Sequence, residues 1–193
     1  MEAPPDHTLL HLLANIAAET GMAIELHMEA VPQDMALPEG FSAPPNAPTL
    51  QANIAGLESL LDHNPQAKIV WAHAGWDNTG FRTVDLMHNL LEKHPNLYMS
   101  IKVRPRNDTA HNMPFDSSTG NVKPEWVDLF SQFPDRFVIG SDVFYGEIDD
   151  PRATPLKKVK GAWRVIAGLP TDIAYQIACE NPRKIYRIID IGE

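Results

Sequence analysis

The chain has 193 residues, 44% of them apolar, a formal charge of −9 and a calculated pI near 5.3. That length and apolar fraction suit a globular domain with a real core and exclude wholesale disorder. The acidic balance argues against a nucleic-acid or anionic-membrane binder, because those partners need a basic face to displace counterions.

The single cysteine, Cys179, cannot form an internal disulfide, so a reducing, cytoplasmic setting is the simpler expectation. Apolar runs of about five residues fall far short of the roughly 20 needed to span a bilayer, and MEAPPDHT lacks the basic and apolar regions of an export signal.

Asp6 and Thr8 are candidate caps for a helix whose Leu9, Leu12, Leu13, Ile16 and Ala17 recur at helical spacing, and Gly21 marks its end. A strand is expected from Ala23 to Glu29. The stretch VPQDMALPEGFSAPPNAP that follows suits neither regular helix nor central strand and reads as a loop covering a site. Helical spacing resumes over Leu50 to His63, followed by a strand from Lys68 to His73, a helix from Thr83 to Lys93 and a strand from Leu97 to Val103. Pro124 to Phe133 reads as a helix with proline in its first turn, and Phe137 to Asp142 as a fourth strand. Helices over Leu156 to Ala167 and Thr171 to Cys179, the latter capped by Thr171, and a short one in NPRKIYRII complete the chain. Strands alternating with helices imply an α/β fold with parallel strands joined by right-handed crossovers, and no linker divides residues 1–193.

The four strands end in residues capable of chemistry: His27, His73, the basic group Lys102, Arg104 and Arg106, and Asp142. Parallel strands of a barrel present their chemistry at those carboxyl ends. Alternation puts Glu25, His27 and Glu29 on one face of the first strand and Leu26 and Met28 on the other. A lone histidine there would read as a hydrogen-bonded core residue. With His73 and Asp142 at neighbouring strand ends, His27 reads instead as a ligand of a divalent metal, with zinc foremost and manganese or iron compatible with the same donors. Gly75 and Gly140 leave backbone room beside His73 and Asp142.

Lys102 and Arg104 read either as a clamp for a substrate carboxylate or as a solvated strand end. Trp71 and Trp76 flank His73 and belong either to a pocket wall or to the core. His63, His88 and His94 fall on helices or their ends and are expected at the surface, whereas His111 lies in a loop that can approach the site. No GxGxxG after a strand, no GxxxxGK[ST] and no GxSxG occurs, so dinucleotide, nucleoside-triphosphate and serine-hydrolase readings find no support.

The segments IELHME, KIVWAHAGW, VIGSD and ENPRKIYRI, in that order, resemble the carboxyl-terminal half of the amidohydrolase-related TIM barrels. That group contains aminocarboxymuconate-semialdehyde decarboxylase. The resemblance implies half of a (β/α)8 barrel, strands five to eight plus C-terminal helices. His27 would be the metal-ligating strand-five histidine, and His73 the strand-six histidine that polarises water or substrate or holds a second metal. Asp142 would be the strand-eight aspartate, at once ligand and proton shuttle. The family's strand-one HxH pair has no counterpart, since no HxH occurs anywhere in the chain.

Two function classes follow as expectations. One is a metal-dependent hydrolase or decarboxylase for a small carboxylated substrate, completed by a missing N-terminal half and inactive, or free of metal, without it. The other is a non-catalytic half-barrel that dimerises, because a four-stranded parallel sheet leaves two edges seeking partners.

Overall fold

The computed structural model describes residues 3–41, 43–44, 46–103, 111–116, 118–140, 142 and 155–188. Its first helix, α1 (Thr8–Thr20), is capped by the imidazole Nδ1 of His7, which accepts from Leu9 N at 3.2 Å, and not by Asp6 or Thr8. Gly21 ends it in the left-handed conformation. Strand β1 (Ala23–Leu26) follows and stops before His27.

The proline-rich stretch is not wholly irregular. Strands β2 (Met35–Ala36) and β3 (Thr49–Leu50) pair antiparallel and close it into a ribbon. Leu50 therefore belongs to a strand, and α2 (Ile54–His63) begins four residues later than its apolar spacing suggested. Strand β4 (Lys68–Ala74) and helix α3 (Val84–Lys93) come next, the helix capped by Thr83 Oγ1 accepting from Leu86 N at 3.1 Å. Strand β5 (Leu97–Ile101), helix α4 (Pro124–Gln132) with proline in its first turn, and strand β6 (Phe137–Ile139) complete the sheet.

Helices α5 (Pro155–Ala167), α6 (Thr171–Tyr175), a π-helical turn at Gln176–Glu180 and α7 (Asn181–Tyr186) close the described chain. Thr171 is the first helical residue after Pro170 and makes no capping bond.

The strand order β1-β4-β5-β6 is parallel throughout, as the alternation of strands and helices requires. The fold is α/β. On the outer face Ile69, Trp71, Leu97, Met99, Ile101 and Phe137 pack against Leu57, Leu60 and Leu61 of α2, Met87, Leu90 and Leu91 of α3, and Trp126, Leu129 and Phe130 of α4. The inner face has a much smaller apolar cluster, Val70, Val138 and Ile185, with Ala23 and Tyr98 against it. Polar residues fill the rest: Ser100 Oγ donates to Glu25 Oε1 at 2.9 Å, and Tyr186 reaches the same carboxylate at 3.5 Å. At the amino ends of the strands Lys68 Nζ donates to the carbonyls of Gly21, Lys184 and Ile185 at 3.3–3.4 Å, tying α1 and α7 to β4.

One sequence expectation inverts, and the structure settles an orientation that helical spacing left open. Helix α1 buries Ala14 and Ala17 and leaves Leu9, Leu12, Leu13 and Ile16 between 43% and 67% exposed, so its apolar stripe faces away from the sheet. His94 is buried rather than superficial, with Nδ1 3.3 Å from Asp62 and Nε2 3.3 Å from Glu58. Among the described residues no helix is long and apolar enough to cross a membrane.

Candidate functional site

Strict alternation along β4 would send His73 to the outer face with Ile69 and Trp71. It does not go there. Trp71 pairs with Met99 and Ala74 with Ile101, so β4 spends one more residue than β5 over this interval, a bulge. His73 absorbs the extra residue at φ 75°, in the left-handed region, and Ala74 returns to the outer core. The imidazole therefore turns inward. It meets His27 edge to face at 4.6 Å between ring centroids, and its Nε2 lies 3.8 Å from Asp142 Oδ1.

Asp142, three residues beyond β6, is also left-handed, at φ 47°. A side chain on Gly140 would come within 3.1 Å of the Ile101 carbonyl and 3.2 Å of Ser100 Cβ, so glycine lets this strand end approach its neighbour without either giving way. Lys102 follows β5, is 8% exposed, places Nζ 2.6 Å from Asp142 Oδ2, and lies 4.8 Å over the Trp76 ring. Both oxygens of the Asp142 carboxylate thus face nitrogen-bearing side chains. His73 is held neutral, its pKa pushed down to about 3, first by burial and then by the Lys102 ammonium and His27, against the opposing pull of Asp142.

A buried framework fixes the strand ends, and sequence reasoning missed most of it. Arg82, 3% exposed, donates to the Ala72 carbonyl at 2.6 Å and to the Met28 carbonyl, with its guanidinium 4.2 Å over Trp71. Trp71 Nε1 donates to the same Met28 carbonyl at 2.9 Å. These bonds clamp β1 to β4 immediately beside His27 and His73.

Burial brings the Arg82 pKa down to about 10, opposed by Glu29 and Asp77. Asp77 accepts from Thr79 N, Gly80 N and Arg82 N and from Asn112 Nδ2 at 2.6–3.2 Å, and thereby shapes the loop that presents Arg82. Asn78 links Glu29 Oε1, at 2.6 Å, to Trp76 Nε1, at 2.9 Å. The run Asp77-Asn78-Thr79-Gly80 carries a turn signal in its composition, but nothing local reveals that Arg82 folds back under it.

The structure therefore brings His27, His73, Asp142, Lys102 and Trp76 to one end of the sheet. Trp71 belongs to the outer core, and His111 is held at the rim by its backbone bridge to Asp77. Arg104 and Arg106 lie outside the described residues.

The family model for amidohydrolases matches residues 2–188. The chain belongs to the amidohydrolase family. Amidohydrolases typically bind divalent metals.

Two solved structures are similar to this amidohydrolase. A protein of Agrobacterium tumefaciens, crystallised in its apo form, shares 12% identity at a TM-score of 0.46 over 94% of this chain and 56% of its own. Dihydroorotase from Campylobacter jejuni shares 14% at 0.49 over 93% and 52%. The chain thus spans about half the length of either structure. No curated protein matches it closely enough to count as a relative.

The donor set suits a divalent ion in kind, with two imidazoles and a carboxylate. In arrangement it does not fit. Among the described residues no three His, Cys, Asp or Glu side chains gather as a ligand set, and an ammonium already sits on one oxygen of Asp142.

Proposed function

We propose that this amidohydrolase serves a hydrolase or carboxy-lyase of the aminocarboxymuconate-semialdehyde decarboxylase type, acting on a small carboxylated substrate in a cytoplasmic setting. The observation that carries the reading is the bulge at His73. A non-glycine residue held at φ 75° costs on the order of 1 kcal/mol or more, and the strain has a use only if the imidazole is needed on the inner side.

The roles follow from the surroundings. His73 is neutral and close to Asp142, so it is suited to orienting a water or a substrate carbonyl by a hydrogen bond. A group whose conjugate acid is so strong is poorly matched to taking a proton near neutrality. Asp142, half-exposed, is the better proton acceptor and donor. Lys102 and Trp76 offer a cation and an aromatic wall for a substrate carboxylate, and Arg104 joins them in that role. His27 and Asp142 stay the candidate ligands of the family's divalent ion, zinc before manganese or iron, and among the described residues no third donor joins them.

The test is turnover of a panel of small carboxylated amides, lactones and β-keto acids, by the chain alone and with an amidohydrolase N-terminal half supplied in trans. His73→Ala and Asp142→Asn are each expected to lower kcat/KM by about a hundredfold or more. Turnover that survives both substitutions rules out this site.

A second reading has its own observation. The outward stripe Leu9, Leu12, Leu13 and Ile16 on α1, near the open edge of β1, is a surface that associating chains cover. It favours a non-catalytic half-barrel that pairs with a second copy or with an N-terminal half. Sedimentation showing a strict monomer across the micromolar range would remove the second-copy form of that reading.

A further inference from the structure

We infer that Glu29 is a positioning residue for the site: through Asn78 it holds the Trp76 indole that walls the substrate end, and through its own backbone it fastens the foot of the proline-rich ribbon to the same place. The inference rests on the reading of Trp76 as a wall for a substrate carboxylate. It goes further in naming what holds that wall.

Glu29 lies two residues beyond His27, yet its carboxylate turns to the loop between β4 and α3. Both oxygens meet Asn78, Oε1 accepting from Nδ2 at 2.6 Å and Oε2 from the backbone N at 3.3 Å. Two points of attachment orient the Asn78 amide. Its donor end is committed to the carboxylate, and its acceptor end Oδ1 accepts from Trp76 Nε1 at 2.9 Å. Asparagine suits this place because its two ends have opposite polarity, one for a carboxylate and one for an indole N–H. The indole so held is 8% exposed, with its ring 4.8 Å from Lys102 Nζ.

The ribbon is tied to the same residue. Glu29 O accepts from Asn53 Nδ2 at 2.9 Å, while Asn53 Oδ1 accepts from Val31 N at 3.0 Å and Asn53 N donates to Val31 O at 2.8 Å, joining the two legs. Neighbouring ties do not involve the carboxylate: Thr79 Oγ1 donates to Ala30 O at 2.7 Å, and Arg82 donates to Met28 O. Removing the Glu29 side chain therefore leaves β1, the ribbon and the loop after β4 joined, and withdraws the hold on Asn78.

The experiment reads the indole N–H signals of the full chain by two-dimensional 15N NMR, identified by their loss in Trp76→Phe and Trp126→Phe, with benzoate as the carboxylate probe. In wild type, benzoate is expected to displace the Trp76 signal. Glu29→Ala is expected to match Asn78→Ala: solvent exchange of the Trp76 indole N–H rises by about tenfold or more, and benzoate binds about three- to tenfold more weakly. Glu29→Gln, which keeps an acceptor for Asn78 Nδ2, is expected to stay within about threefold of wild type in both. The Trp126 indole, 1% exposed in the outer core, should exchange as in wild type throughout, which separates lost positioning from a general loosening.

Trp76 exchange unchanged by Glu29→Ala, or raised equally at Trp126, would overturn the positioning role. Displacement by benzoate in wild type with equal affinity in Glu29→Ala would overturn the bearing of Glu29 on the site while leaving Trp76 a wall. No displacement of the Trp76 signal in wild type would overturn the wall reading itself, and this inference with it.

Discussion

The two faces of the sheet are built by opposite rules. The outer face is a closed apolar layer in which every second strand residue meets a helix, and its largest members, Trp71, Trp126, Phe130 and Phe137, are almost wholly buried. The inner face has a small apolar cluster, Val70, Val138 and Ile185 with Ala23 and Tyr98 against it, and also carries Glu25, His27, Ser100, Lys102 and the bulged His73. The first face sets stability, and the second carries the residues proposed for chemistry. Among the left-handed non-glycine residues His73, Asn112, Asp142 and Arg187, the two beside the strand ends, His73 and Asp142, sit on the inner side.

Breaking the outer layer should cost most. Trp126→Ala removes a side chain that is 1% exposed and packed 5.6 Å from Phe130 between ring centroids; a loss of about 3–5 kcal/mol in urea unfolding is expected. A loss under about 1 kcal/mol would mean that α4 is not part of the cooperative core.

The junction between the faces comes next. Arg82→Met keeps the apolar stem over Trp71 but withdraws the donors from Ala72 and Met28, at an expected cost of about 2–3 kcal/mol, also read from urea unfolding. Such a change also frees the ends of β1 and β4, so the His27–His73 contact should loosen and broaden their imidazole resonances in NMR.

The inner face should respond in the opposite direction. His73→Gly removes the strain of a β-carbon at φ 75° and is expected to leave stability unchanged or to raise it by up to about 1 kcal/mol, while abolishing any turnover. Thermal unfolding and a substrate assay on the same preparation check both halves of that statement. A clear fall in stability would make His73 a packing residue and erase the contrast between the faces.

The smallest effect is expected on the outward side of α1. Leu12→Gln, at a position 55% exposed, should change monomer stability by less than about 0.5 kcal/mol. If the stripe is an association surface, the same substitution lowers the mass measured by sedimentation, and stability then becomes concentration-dependent.

Local sequence determined the order of strands and helices, the parallel pairing that this order entails, and the inward alternation of Glu25 and His27. All of these follow from periodicities within a few residues. It also marked His27, His73, Lys102 and Asp142 as strand-end residues. Element boundaries were less legible: β1 and β6 end sooner than their apolar runs, and Leu50 pairs with Met35 because the proline-rich stretch returns on itself.

Only the tertiary structure decided which way side chains face where the local pattern is broken or ambiguous. The register of β4 against β5 turns His73 inward, because one extra residue must be absorbed between Trp71 and Ala74. The small residues Ala14 and Ala17 face inward on α1 with Leu10 half-buried beside the core, while Leu9, Leu12, Leu13 and Ile16 stay outside, a choice that helical period alone does not make. The pairing of Lys102 with Asp142 joins strand ends that are 40 residues apart and depends on the close approach that Gly140 permits. Periodicity reports what a segment can present; the neighbouring strand, fixed by long-range packing, selects what it does present.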